Sequence, residues 1–100
     1  MQQCLLVLVV TPAIRDAVVD WLLGREDVRG FSSFPISGHG VSVHAMTIAE
    51  QVAGGQKQVV FQTVLPEATA KDVLAALQEE FSGSGMHYWL LPALSAGHIE

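Results

Sequence analysis

The chain contains no asparagine and a single cysteine, Cys4, and only 15% of its 100 residues are charged. One cysteine cannot close an internal disulfide. The longest strongly apolar run, Cys4 to Val10, falls far short of the ~18 residues that cross a bilayer as a helix, so no membrane insertion is expected. Positive charge is scarce as well: five Lys and Arg stand against ten Asp and Glu, a formal net charge of −5, and they form no cluster. Nucleic-acid backbones are held by basic side chains, so no nucleic-acid partner is expected. The N-terminus lacks the basic stretch and small-residue cleavage site of a secretory signal, which makes the cytoplasm the expected compartment. Apolar side chains, by contrast, make up 50% of the chain. Average domains carry roughly 25% charged residues. So little polar surface leaves a lone domain of this size poorly covered, and part of its apolar surface is expected to lie against further copies of the chain.

Residues 1–100 read as one domain. Cys4 to Val10 is apolar in both phases of a two-residue period, the pattern of a central strand covered on both faces. Thr11-Pro12 then opens a helix whose stripe is Ile14, Ala17, Val18, Trp21 and Leu22, with Gly24 as its C-cap. Val28 to Ser37 reads as a second strand, and Pro35 places it at a sheet edge. From Gly38 to Gln56 the pattern dissolves, except that Thr47 and Glu50 have capping-box spacing for a short helix ending at Gly54-Gly55. Excursions of that length within compact domains are usually functional or mobile. Lys57 to Leu65 is a third strand, again apolar in both phases and stopped by Pro66. Thr69-Ala70-Lys71-Asp72 predicts the cap of a second long helix with the stripe Ala70, Val73, Leu74, Leu77 and Phe81. Gly83-Ser84-Gly85 turns into a fourth strand, Met86 to Leu91, stopped by Pro92.

The order β-α-β-β-α-β predicts an α+β, ferredoxin-like fold: a four-stranded antiparallel sheet with both helices on one face. The first and third strands are then central. Two helices cover only one face of strands that are apolar on both, so the second face needs another cover, for which a further subunit is the simplest source. At about 25 cal/mol per Å², leaving it exposed forgoes several kcal/mol.

The segments Val28-Arg29-Gly30-Phe31 and Ser37-Gly38-His39-Gly40, followed by Val59 to Pro66 before the second helix, resemble the PII-like superfamily. Gly83-Ser84-Gly85 and Ala96 to Glu100 fall where PII proteins keep their B-loop and C-terminal loop. The stretch Gly30 to Gly40, with Ala49 to Gly54 and His87-Tyr88-Trp89, is most similar to an uncharacterised PII-like family encoded beside heavy-metal efflux systems of the RND type. The resemblance implies a non-enzymatic homotrimer with sheets packed inward. The long excursion would be the T-loop, which docks on a partner such as a membrane efflux component. It also implies effector clefts between subunits, here built from Gly38, His39, Gly83, Gly85, Met86 and His98. In the nucleotide-binding relatives a B-loop lysine and C-terminal arginines hold phosphates. Met86 and His98 stand in the corresponding places and only the glycines remain, which speaks against an adenine nucleotide. Tyr88, the sole tyrosine, lies in the last strand, so the T-loop tyrosine modified in some PII proteins is missing.

The remaining donors are soft or borderline. His39, His44 and Met46 share the excursion, and imidazole with thioether suits copper, zinc or nickel. Their spacing follows no standard metal motif, and loop histidines are often merely solvated. His87 and His98 read as hydrogen-bonded or interface side chains, and Cys4 as a small apolar residue of a central strand. No nucleophile and base are spaced for catalysis. The acylphosphatases of this fold need an asparagine, and its metallochaperones need Cys-x-x-Cys; the chain has neither. Two alternatives stay open: a CutA-like structural trimer without a small effector, and a nucleotide-binding PII-like protein.

Overall fold

The computed structural model describes residues 2–40 and 47–100. The strands are β1 (Gln3–Val10), β2 (Ser32–Gly38), β3 (Gln56–Pro66) and β4 (His87–Ala93). The helices are α1 (Arg15–Leu23), α2 (Ile48–Ala53) and α3 (Glu67–Glu80). The sheet is antiparallel in the order β2-β3-β1-β4. The two strands that are apolar in both phases, β1 and β3, are therefore its centre, as the ferredoxin-like expectation requires. Each edge strand carries a proline, Pro35 in β2 and Pro92 in β4. An edge strand has one side without a ladder, where a missing N–H costs no bond. For that reason Pro92 does not stop β4, which continues to Ala93 with Pro92 paired to Cys4.

Four other local expectations shift. The second strand begins at Ser32 rather than Val28; Val28 is instead a buried loop residue of the core. A 3-10 turn, Pro12–Ile14, precedes α1, and Thr11 makes no side-chain cap. In α1 the expected stripe holds except at one position: Val18 and Leu22 are buried, Ile14 and Trp21 pack on the core together with Val19, and Ala17 is exposed. Helix α3 starts at Glu67, two residues before the predicted Thr69 cap. The chain passes from β3 into α3 through Pro66 with no loop, and the carbonyl of Gln2 accepts the Glu67 N–H at 2.9 Å. Because the helix already starts at Glu67, Thr69 lies inside its first turn and not at its cap.

One face of the sheet carries α1 and α3. Its core joins Leu6, Leu8 and Phe61 of the sheet to Val18 and Leu22 of α1 and Ala70, Val73 and Leu77 of α3. Phe61 is 1% exposed; full burial of such a side chain is worth about 1.5–3 kcal/mol. Thr63, a buried polar residue of this layer, donates its hydroxyl to the Gly30 carbonyl at 2.6 Å. The turn after α1 is pinned by Arg25, whose guanidinium donates twice to Asp27 (2.9 and 2.8 Å) and lies 5.0 Å from the Trp21 ring centroid. The same pairing holds the Asp27 carboxyl below the usual carboxylate range.

Among the described residues, the other face carries no helix. Val7, Val9 and Val60 form a small cluster there with Leu5 and Ile36. Residues paired across an antiparallel ladder share a face. Val9 pairs with Val60 and His87, Val7 with Trp89, Leu5 with Val64 and Leu91, and Phe34 with Val60. Four large apolar side chains of this face stay about half exposed: Phe34 at 41%, Val64 at 44%, Trp89 and Leu91 at 46%. None of its strand positions holds Asp, Glu, Lys or Arg. No helix among the described residues is long and apolar enough to cross a membrane.

Candidate functional site

Strand β2 ends at Gly38 and β3 begins at Gln56, so the excursion leaves and re-enters the sheet between two paired strands. Its return leg is α2. As the capping-box spacing predicts, Thr47 Oγ1 accepts the Glu50 N–H at 3.1 Å and the Glu50 carboxylate accepts the Thr47 N–H at 3.0 Å. The second carboxylate oxygen accepts the Lys57 N–H at 2.7 Å, tying α2 to the first turn of β3. Hydrogen bonds from the backbone of Thr47, then of Lys57, hold the Glu50 carboxyl below its usual range. Gly54 ends the helix at φ +79, a conformation that costs other residues about 1–2 kcal/mol. The Gly54 carbonyl oxygen lies 2.9 Å from His39 Nδ1. The outgoing and returning legs of the stem are thus joined through the His39 ring.

Between this stem and the β1–α1 junction lies a cleft of about 700 Å³. It is lined by Thr11, Pro12 and Ala13 from the β1–α1 junction, by Thr47, Ala49 and Glu50 of the α2 cap and helix, and by Ser37, His39 and Gly55 to Lys57 of the stem. Among the described lining residues Lys57 is the cation, and both Glu50 oxygens are already engaged. Thr11 and Ser37, both hydroxyl residues, line the same space. A carbonyl can only accept, so in the neutral ring Nδ1 of His39 carries the proton and Nε2 keeps its lone pair, the arrangement usual in metal-ligating histidines. The cleft can therefore offer hydroxyl donors and a cation to a small anion, or an imidazole nitrogen to a metal ion.

Of the residues singled out by sequence, Gly38 and His39 stand at this stem. Gly83 and Gly85, both with positive φ, and Met86 form the turn into β4, at the same end of the sheet but two strands away from β3. Met86 packs on the helix-side core, and its N–H donates to Ser84 Oγ at 3.2 Å. Strand β4 ends at Ala93 beside Gln3, at the opposite end. The five residues from Ala93 to His98 reach at most ~18 Å, and the eight-residue β1 spans ~25 Å. Within one chain, His98 cannot join His39. His44 and Met46 lie outside the described residues, and among the described residues no three of His, Cys, Asp and Glu are grouped to hold a metal. Sequence reasoning missed Thr11, Ser37 and Lys57; only the strand register brings them together.

This two-layer sheet with its stemmed excursion is the fold of PII-like proteins. CPII, a nitrogen regulatory PII-like protein from Thiomonas intermedia K12 solved with ADP, AMP and bicarbonate, matches it with a TM-score of 0.70, 18% identity and coverage of 99% of this chain and 98% of that one. A putative PII-like signalling protein from Thermus thermophilus matches with a TM-score of 0.66, 18% identity and coverage of 93% and 87%. More narrowly, residues 1–100 match the model of DUF3240, a family of proteins of unknown function, and the chain belongs to that family. A DUF3240 protein from Shewanella baltica OS155 shares 26% identity and a TM-score of 0.80 over 100% of this chain and 99% of that one. Among curated protein sequences nothing matches.

Proposed function

We propose that the protein is a non-enzymatic, cytoplasmic PII-like regulator, a homotrimer that joins its subunits through the helix-free sheet face and binds a small effector in clefts completed by a neighbouring subunit. The observation that carries this reading is the uncharged sheet face, where Phe34, Val64, Trp89 and Leu91 are half exposed although the opposite face of the central strands β1 and β3 is a finished core under two helices. A neighbouring subunit also supplies what the single chain cannot, a His98 within reach of the stem. Ligand binding at His39 and the stem changes the set of the excursion, which acts as a T-loop toward a partner; the resemblance of the sequence names a heavy-metal efflux component as that partner. The effector is a transition metal held through His39, with His44 and Met46 as further donors.

A second reading has its own support. CPII carries ADP, AMP and bicarbonate, and Lys57 with the Thr11 and Ser37 hydroxyls makes the cleft a fit for a small oxyanion. Against it stands Met86, packed on the core where a phosphate-binding lysine is wanted.

Light scattering on the full chain tests the assembly: a trimer is expected, and a stable monomer overturns the reading. Calorimetry with zinc, copper and nickel, and separately with ADP, AMP and bicarbonate, then separates the effectors. Metal affinity that falls at least ~10-fold in His39→Ala/His44→Ala supports the metal site; equal affinity in both proteins removes it.

A further inference from the structure

Among its described strand positions, the helix-free face holds one titratable side chain. His87 opens β4 and pairs with Val9, so it shares a face with Val9 and, two residues on, with Trp89. On β1 that face carries Gln3 and aliphatic residues; on β3 Gln, Val and Pro; on β2 Ser32, Phe34, Ile36 and Gly38. The Gly83 to Met86 turn leading into His87 has no charged residue either. Lys57 belongs to the opposite face, paired with Ser37, and β2, which leads to His39, lies three strand spacings or ~14 Å from β4. No carboxylate of the face stands ready to accept a proton-bearing imidazole, and glutamine amides, donor and acceptor at once, suit a neutral interface between like surfaces.

We propose that His87 makes the assembly of this protein proton-sensitive: the neutral imidazole is covered by the neighbouring subunit, and its protonation drives the subunits apart. The inference rests on the subunit reading above. Covering an imidazole among Val9, Trp89 and the aliphatic face disfavours its charged form, because an ion taken out of water without a counter-charge is costly. Protons therefore bind the separated subunits better than the assembly. Because separation of the subunits takes up protons, the interface is strongest at high pH and weakens as the pH falls. For a histidine whose charge is wholly excluded, the association constant drops about tenfold per pH unit for each side chain covered.

Sedimentation velocity on the full chain over a range of concentrations, at about pH 8 and about pH 5.5, measures this directly. The wild type is expected to be assembled at the higher pH and to show a dissociation constant at least ~10-fold larger at the lower. His87→Gln, or His87→Phe should the first variant misfold by circular dichroism, is expected to lose that difference. A wild type equally tight at both pH values overturns the role of His87 and leaves the oligomer standing, as does a His87→Gln variant with the wild-type response. A monomer at both pH values overturns the subunit reading itself.

Discussion

His39 Nδ1 lies 2.9 Å from the carbonyl oxygen of Gly54, closing the stem of the excursion across fifteen residues of chain. The bond orients the ring edge toward Gly55, where an added Cβ would meet His39 Cε1 at 3.0 Å and the Gly38 carbonyl at 3.3 Å. Nitrogen-15 shifts of the His39 ring are expected to show the Nδ1–H tautomer in the neutral form. Gly55→Ala is expected to displace the ring and destabilise the chain by about 1 kcal/mol; an unchanged tautomer signature in that variant would contradict the packing described.

Glu50 provides an acid-sensitive brace. Its pKa is lowered by the N–H groups of Thr47 and Lys57, which only the carboxylate can accept together. A group depressed on folding contributes stability that is in place above the ordinary glutamate range and is lost as the pH falls through the lowered value. Protection of the Lys57 and α2 amides, measured relative to intrinsic exchange at each pH, is expected to be high at neutral pH and to fall below that range, before the central strands respond. In Glu50→Gln the acid step should vanish, with exchange raised at all pH values.

Core and open face should separate cleanly on mutation. Phe61→Ala removes a side chain 1% exposed and is expected to cost about 3–5 kcal/mol in denaturant unfolding. Trp89→Glu, at a position 46% exposed, is expected to change monomer stability by about 1 kcal/mol or less while abolishing assembly in light scattering. A Trp89→Glu trimer would remove this face from the interface.

Thr63 tests a buried polar contact between the sheet and the loop before β2. Thr63→Val keeps the shape and deletes the 2.6 Å bond to the Gly30 carbonyl, for an expected loss of about 1 kcal/mol. Serine at the same position should retain more of that bond than valine, as read from the midpoint of urea unfolding.

Much of this architecture was legible because its signals are local. The Thr47 to Glu50 spacing specifies its capping box without help from the rest of the chain, and Pro35 marks an edge strand. The misplaced features answer to distant partners. Thr69 is not a cap because β3 runs through Pro66 directly into α3, whose first N–H, that of Glu67, reaches the Gln2 carbonyl just before β1. Pro92 continues β4 because the strand has a free side. At the candidate site His39 was visible as a donor, whereas Thr11, Ser37 and Lys57, ordinary residues of three separate segments, became a cleft only where β1 runs into α1 beside the stem.

The sequence by itself determined that two strands would be apolar on both sides, that helices could cover one side only, and that some apolar surface would be left over. It could not determine which phase of the last strand faces which side, since His87, Trp89 and Leu91 alternate with side chains that are also largely apolar, and a two-residue period says nothing when both phases satisfy it. Pairing with β1 decided that. By placing His87 opposite Val9 rather than Leu8, the register put the histidine, the tryptophan and Leu91 on the uncovered face, and Leu90 in the core beneath the helices.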